Sequence, residues 1–434
     1  MGETFKIYID NLDFIQSEDR HGLQDSEVTD NTKVIIVGAG PVGLLVATLL
    51  SEHNVAVTVL ERGDAADNRP RATHYGSPAV KELVRAGVWH DVLSAGFCPS
   101  VVTWRKPNGD KIASMPMSST EKDYPYPMVV LPVGDLVTVL LEHLSTRTNV
   151  RVLYGHTVEG LGQTDESAWV KVRTKDDHHP KTFTAPWIVG ADGSSSAIRK
   201  LNNLPFEGKT WDRQIVATNV YFPFDERYGW TDSNFIIDRE NWYMAAKISK
   251  NGLWRVTYGE QSGLSDEVLL SRQPEKFRHM LPGNPDPSKY TLTSISPYQV
   301  HQRRAPTFRN KRFLLAGDAA HVCNPFGGLG LTGGIVDAGN LADALLGVLL
   351  GVANQAILDK YSEERIKAFD GPIDFISSTN FCRIAYQDAE TALQNDEFLQ
   401  RLDVDDKANS EVANELHESV FAIQHDFTQY YTKT

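Results

Sequence analysis

Lys33-Val-Ile-Ile-Val37 runs into Gly38-Ala-Gly-Pro-Val-Gly43, then into Leu44-Leu-Val-Ala-Thr-Leu-Leu-Ser-Glu-His53, and later into Ala56-Val-Thr-Val-Leu60-Glu61. This stretch decides the fold. The first run is short, continuously apolar and rich in β-branched residues, the pattern of a buried strand. The ten residues after Gly43 are helix-like, and Ala56–Leu60 is a second buried strand. Together they make a βαβ unit of about 30 residues. Gly38 serves the tight turn, Gly40 lets backbone approach a pyrophosphate, and Gly43 lets helix and strand pack closely. The helix N-terminus then faces the phosphates. Glu61 ends the second strand, where a carboxylate takes ribose hydroxyls, with Arg62 beside it. The expectation is dinucleotide binding; the alternative is a glycine-rich loop with no ligand.

The rest of the chain sets bounds. Its 434 residues suggest two or three domains at ~150 residues each. Fifty-six acidic residues against 43 basic ones give a net charge of −13, which disfavours nucleic acid and anionic membrane as partners. Cys98, Cys323 and Cys382 show neither C-x-x-C spacing nor a metal pattern, so free thiols in a reducing cytoplasm are expected. The N-terminus shows no signal-peptide pattern. Residues 1–30 hold eight acids and two bases and read as an acidic tail. The apolar stretch Leu341–Leu358 has only 15 uncharged residues, from Ala344, where a membrane span needs ~20. It reads as a buried helix.

Further along, Val101–Met115 reads as a β-hairpin turning at Pro107-Asn-Gly-Asp110. Leu136–Leu144 reads as a helix, with strands at Val150–Leu153, Trp169–Arg173 and Trp187–Val189. Residues 206–300 alternate and are rich in aromatics, with helix and loop between Gln261 and Lys289. Phe313–Ala316 is another buried strand. Helices are expected over Ile335–Gln355, Asp359–Thr379 and much of 386–434.

Two more motifs carry chemistry. One is Gly190-Ala-Asp192-Gly193-Ser-Ser-Ser196-Ala-Ile-Arg199. The other is Gly317-Asp318-Ala-Ala-His321-Val-Cys-Asn-Pro325, followed by Phe-Gly-Gly-Leu-Gly-Leu-Thr-Gly-Gly334 and Asp337. Asp318 follows a buried strand, as an acid binding a ribose or ribitol hydroxyl would. The glycine-dense stretch from Gly327 leaves backbone open to a planar ring, with N–H groups able to hold negative charge.

In this order and spacing the three motifs resemble those of the class A FAD-dependent monooxygenases, the family of para-hydroxybenzoate and phenol hydroxylases. The resemblance covers roughly residues 31–380. It implies an α/β fold: a Rossmann-like FAD domain with an inserted mixed β-sheet substrate domain and C-terminal helices. The FAD domain would be discontinuous, 31–205 and 301–380, around a substrate domain at 206–300, with 381–434 a helical extension. It implies FAD as cofactor and NADPH or NADH as reductant. The implied reaction adds O₂ at the flavin C4a and transfers one oxygen from the hydroperoxide to an aromatic or polyketide-like small molecule, with a leaning toward secondary metabolism. Baeyer–Villiger and epoxidation outcomes stay open, as does a flavin-free binding protein of the Rab-escort type. The absence of a Trp-x-Trp-x-Ile-Pro signature argues against a halogenase.

Residue by residue, the resemblance assigns Gly38, Gly40, Gly43 and Glu61 to the ADP half of FAD and Arg71 to the pyrophosphate. Asp318, after Gly317, would bind the ribitol. Pro325 and the loop Gly328–Thr332, including Gly330 and Leu331, would line the flavin ring. Asp192 and Arg199 belong to the motif tied to FAD and pyridine nucleotide; the alternative for Arg199 is a structural contact. His74 and Tyr75 stand where the family places active-site side chains, and His74 is a candidate base for a phenol. Tyr221, Phe235, Tyr243 and Arg255 are candidate pocket residues. His321 and Asp337 are expected to be structural. The sequence departs from the family at Leu329 and Thr332 in the flavin loop, at Val133, and at Pro78.

Overall fold

The computed structural model describes residues 31–67, 72–117, 126–175, 179–402 and 406–432. The acidic tail 1–30 and Arg71 lie outside them. The strand Val34–Val37 lies at the heart of a six-stranded sheet, where it pairs in parallel with Val57–Leu60 on one side and Trp187–Gly190 on the other. Val150–Leu153 and Phe313–Leu315 extend the sheet in parallel, and Arg309–Asn310 closes an edge antiparallel. The three central strands are buried along their whole length. A parallel sheet covered on both faces requires such unbroken apolar runs. One cover is helical: Pro41–Ser51, Val133–Ser145 and Leu329–Leu349. The other is a three-stranded antiparallel sheet, Thr157–Gln163, Ala168–Arg173 and Lys181–Ala185, whose Val158, Val170 and Val172 join the same core.

The second large sheet has eight strands. In spatial order they are His321–Val322, Thr291–Arg304, Glu207–Tyr221, Leu253–Gln261, Tyr243–Lys247, Ser233–Ile236, Val101–Arg105 and Lys111–Pro116. The hairpin forms as the sequence indicates, turning through Gly109 at φ +93°. It does not stay with the dinucleotide sheet: Val101–Arg105 pairs in parallel with Ser233–Ile236. The helix Asp266–Met280 covers one face of this sheet, burying Phe277 and Met280 against Tyr243, Val256 and Tyr258. The other face carries Trp104, Phe235, Met244 and Ile215.

Three helical expectations shift. The helix expected at Ile335 starts at Leu329 and absorbs the glycine-rich stretch. Glycine is a poor helix former, but here close packing wins: a Cβ on Gly334 would lie 3.0 Å from Val42, and one on Gly339 would collide with Glu82 at 2.1 Å. The apolar stretch to Leu358 is not one helix. The chain turns at Gly351 (φ +72°), leaving Leu350 53% exposed, and a new helix runs from Ala356 to Ala368. Gly371-Pro372 then forces a wide turn before the helix Asp374–Ala385, because proline cannot donate within a helix. The C-terminal region forms Ala392–Asn395, Glu397–Leu402 and Asp406–Phe421. No helix among the described residues is long and apolar enough to cross a membrane.

Candidate active site

The three motifs meet through contacts that glycine alone permits. Gly38 has φ +111°, and a Cβ there would lie 2.3 Å from the Ala191 carbonyl oxygen, so the first motif rests on the second. Gly317 has φ +61°, and its Cβ would lie 2.8 Å from Val42, so the third rests on the first helix. Arg199 joins the second motif to the third. Its guanidinium donates to the Ala319 carbonyl at 2.8 Å and the Ser194 carbonyl at 2.6 Å, and stacks 3.8 Å from the Phe206 ring. It is 3% exposed. Its partners are carbonyls and a ring, the placement of a strut. Asp192 caps the short helix Ala197–Leu201, accepting from Ser196 Oγ at 2.5 Å and from the Ala197 amide at 2.6 Å. Burial raises its pKa.

Glu61 is braced by two backbone amides. Oε2 accepts from the Ala39 amide at 2.9 Å and Oε1 from the Gly63 amide at 2.8 Å, which ties the glycine loop to the end of the second strand. Arg62 and Asp318 are exposed. The helices starting after Gly40 and Gly328 have no capping side chain, so their first N–H groups point outward. A Cβ on Gly40, Gly193 or Gly328 would meet nothing within 4 Å. Two uncapped helix N-termini, open glycines and a braced carboxylate fit a dinucleotide with a planar ring. FAD would therefore lie with its phosphates at Gly38–Gly43 and its ring toward Pro325, Gly328, Gly330 and Leu331.

The glycines separate two effects. In Gly43→Ala the new Cβ would sit 2.1 Å from the Gly38 carbonyl oxygen, so the turn must open. The expected result is loss of folded protein. Gly40→Ala should keep its thermal midpoint yet bind FAD at least tenfold more weakly, measured by absorbance titration. Unchanged FAD affinity would remove Gly40 from the phosphate site.

His74 reaches this centre through its neighbours. The Gly76 amide donates to Thr332 Oγ1 at 3.0 Å, which pins His74-Tyr75-Gly76 against the helix that opens the flavin loop. His74 Nδ1 is 2.8 Å from Thr73 Oγ1. Burial, aided by the positive charge of Arg255 and opposed by Asp232, pushes His74 down to about 4. The ring is neutral near pH 7. Tyr75 points the other way, as alternate strand residues must. It is fully buried in the dinucleotide-domain core, and its hydroxyl lacks a hydrogen-bond partner. Burial and Asp135 push its pKa well up, which leaves it no proton to exchange near neutrality.

The pleat of the eight-stranded sheet sorts the four pocket candidates. Arg255 lies directly across from Asn219. Its Nε and a terminal nitrogen both donate to Asn219 Oδ1, at 3.1 and 3.0 Å. Phe235 is on this face, stacked on Trp104 with centroids 6.0 Å apart. Tyr221 shares the face at the strand end and is 39% exposed. Tyr243 does not belong with them. It is buried under the helix Asp266–Met280, and its hydroxyl donates to the Met280 carbonyl at 2.6 Å. A one-residue step flips a strand side chain to the other face.

Among the described residues no carboxylate is within ion-pair distance of Arg255. Burial lowers its pKa to about 10. Sequence reasoning missed Asn219, which is 3% exposed. The available signal was an amide inside the apolar run Ile215-Val-Ala-Thr-Asn-Val220. It also missed Thr332 as the bridge to Gly76, and Arg365, described below.

A neutral buried histidine makes stability pH-dependent. Unfolded His74 titrates near 6.5 and the folded ring near 4, so between these values the unfolded chain binds more protons and stability falls as pH falls. His74→Asn should flatten that loss, read as the difference in urea midpoint between pH 7.5 and pH 5. An unchanged difference would mean His74 is solvated.

His321 and Asp337 form a separate buried unit. Asp337 accepts from the Gly317 amide at 2.8 Å, from His321 Nε2 at 2.7 Å and from Arg365 Nε at 2.6 Å. Burial opposes its ionisation, but His321 and Arg365 outweigh that and hold the carboxyl at about 2. His321 Nδ1 is buried without a partner, so the ring has no second group to which it could pass a proton.

A dinucleotide sheet carrying all three motifs, set beside an antiparallel sheet with a polar cluster, defines a flavoprotein of the monooxygenase type. The comparisons agree. Residues 31–375 match the family described as FAD binding domain. The chain is 39% identical over 377 residues to para-nitrophenol 4-monooxygenase of Pseudomonas sp. (strain WBC-3), covering 86% of this chain and 92% of that one. It is 35% identical over 357 residues to 6-hydroxy-3-succinoylpyridine 3-monooxygenase HspB of Pseudomonas putida (strain DSM 28022 / S16), covering 82% and 89%. The crystal structure of p-nitrophenol 4-monooxygenase PnpA from Pseudomonas putida DLL-E4 superposes with TM-score 0.83 at 36% identity, over 90% of this chain and 98% of that one. The chain belongs to the FAD-binding monooxygenase family and is an FAD-dependent monooxygenase.

Proposed function

We propose that this enzyme hydroxylates a single-ring phenol or hydroxypyridine bearing an acidic or strongly electron-withdrawing group, with NADH or NADPH as reductant. The observation that carries the reading is Arg255, a partly buried cation with an amide for a partner and no carboxylate, electrostatically coupled to neutral His74. A cation in that setting is completed by an anionic ligand. The relatives named for nitrophenol and hydroxypyridine substrates support one ring over the polyketide-like class and over secondary metabolism.

Bound FAD, reduced by NAD(P)H, supplies the activation of O₂. The remaining work falls to side chains of this chain. Arg255, oriented by Asn219, holds the substrate's negative oxygen. His74, neutral and half out of solvent, accepts a hydrogen bond from the phenol at Nε2, which makes the ring carbon more nucleophilic. Phe235 and Trp104 give the ring an apolar wall. The strand His74–Tyr75, pinned by Thr332, keeps His74 in register with the flavin loop.

The test is NAD(P)H consumption by the FAD-loaded enzyme against a panel of para-substituted phenols and hydroxypyridines, with product mass analysis. The expected product gains one oxygen or, where a para nitro group leaves as nitrite, is the corresponding quinone. Stimulation only by multi-ring substrates would overturn the proposal.

A further inference from the structure

The antiparallel sheet has a cavity that none of this chemistry uses. Its volume is about 590 Å³, within the range of small-molecule sites. It lies between the helix Asp266–Met280 and the strand ends around Arg213, Trp242 and Gly259. We propose that this cavity binds the phosphate end of a nucleotide-sized anion, and that its occupant is the adenylate end of the nicotinamide reductant.

The charges carry the argument. In a chain of net charge −13, Arg213, Arg239, Arg272 and Lys276 converge on one cavity. Arg272 is spent on Glu260, with bonds at 3.0 and 3.2 Å. The other three cations have no ion-pair partner among the described residues. Lys276 Nζ reaches only neutral acceptors, Asn241 Oδ1 at 3.3 Å and the Glu240 carbonyl at 3.5 Å. Burial also lowers its pKa, so the ammonium is short of solvation and gains from an anion. The two other acids of the lining, Glu240 and Glu275, are exposed at the rim. Their charge is the more screened by salt.

The cavity is also wired to the flavin side. Trp242 forms part of its wall and packs edge-on against Phe326 of the flavin loop, with centroids 5.3 Å apart. Gly259 lets the indole lie flat on the strand, since a Cβ there would be 2.1 Å from it. The occupant's identity rests on the proposed reductant: the sequence shows one dinucleotide-binding glycine motif, which FAD takes, so the reductant needs another phosphate site.

The test is calorimetric titration of FAD-loaded enzyme, without aromatic substrate, using adenosine 2′,5′-bisphosphate, ADP and inorganic phosphate. Saturable binding is expected, weakened at least tenfold in Arg213→Gln/Lys276→Gln. It should be unchanged in Arg278→Gln, since Arg278 is on the same helix but outside the cavity lining and pairs with Asp286 beyond the helix end. Flavin absorbance and thermal midpoint establish that each variant is folded. Tighter binding of the nucleotides than of phosphate assigns the adenylate end. Equal binding keeps the anion site and overturns that occupant. No saturable binding, or equal affinity in the double variant, overturns the site. Substrate-stimulated NAD(P)H consumption by the wild type is read separately, so it stands or falls independently.

Discussion

Arg365→Met should cost about 3–5 kcal/mol of folding stability, the usual penalty for breaking a buried pair by removing one partner, and much of the bound flavin with it. Arg365 is fully buried. Its Nε donates to Asp337 at 2.6 Å, and its terminal nitrogens reach the Ile423 carbonyl, Asn340 and the Gly333 carbonyl. One guanidinium thus ties the third motif to the helix Leu329–Leu349 and to the C-terminal segment. Methionine fills much of the volume but leaves the Asp337 carboxylate with only His321 and the Gly317 amide. The Gly317 amide needs that carboxylate to hold its left-handed turn beside Asp318. Urea midpoints measure the stability, and flavin absorbance per protein measures retention. A loss below about 1 kcal/mol with full flavin would show that the cluster is not a structural keystone.

The same cluster shows how far the sequence could be read. The βαβ unit and three motifs were legible because each needs a special local geometry that only certain residues supply: Gly38 and Gly317 at positive φ, Glu61 at a strand end. Arg365 was not legible. It sits in an ordinary amphipathic run, and its partners lie 28 and 58 residues away in sequence. The face of Tyr243 was lost for a different reason. Register in the eight-stranded sheet follows from pairing with Tyr258 and Ile236 rather than from the local alternation. The start of the helix at Leu329 was hidden by propensity, since its glycines are chosen for contact with Val42, Ile373 and Glu82. The candidate site was legible only in part: His74 reads as a candidate base and Arg255 as one of four pocket candidates, while Asn219 and Thr332, which hydrogen-bond to Arg255 and to the Gly76 amide, are evident only from the structure.

Arg255→Met is expected to lower kcat/KM for an acidic phenol by about 100-fold while FAD content and thermal midpoint stay unchanged. Hydrogen bonds to charged groups contribute about 1.5–3 kcal/mol, or roughly 10- to 150-fold, and this cation has no carboxylate to release when the substrate leaves. The loss should fall mainly on KM, with a smaller part on kcat, because the guanidinium holds the acidic group and so sets where the reacting ring carbon lies. Arg255→Lys should recover only part of it, since an ammonium cannot use Asn219 Oδ1 through two parallel donors. Asn219→Ala should give an intermediate loss of about tenfold by releasing Arg255 from its orientation. A substrate analogue without the acidic group should lose little in any of these variants. That contrast is what decides the role. Equal losses for the charged and uncharged substrates would make Arg255 a brace of the sheet, and the anionic substrate class would fall with it.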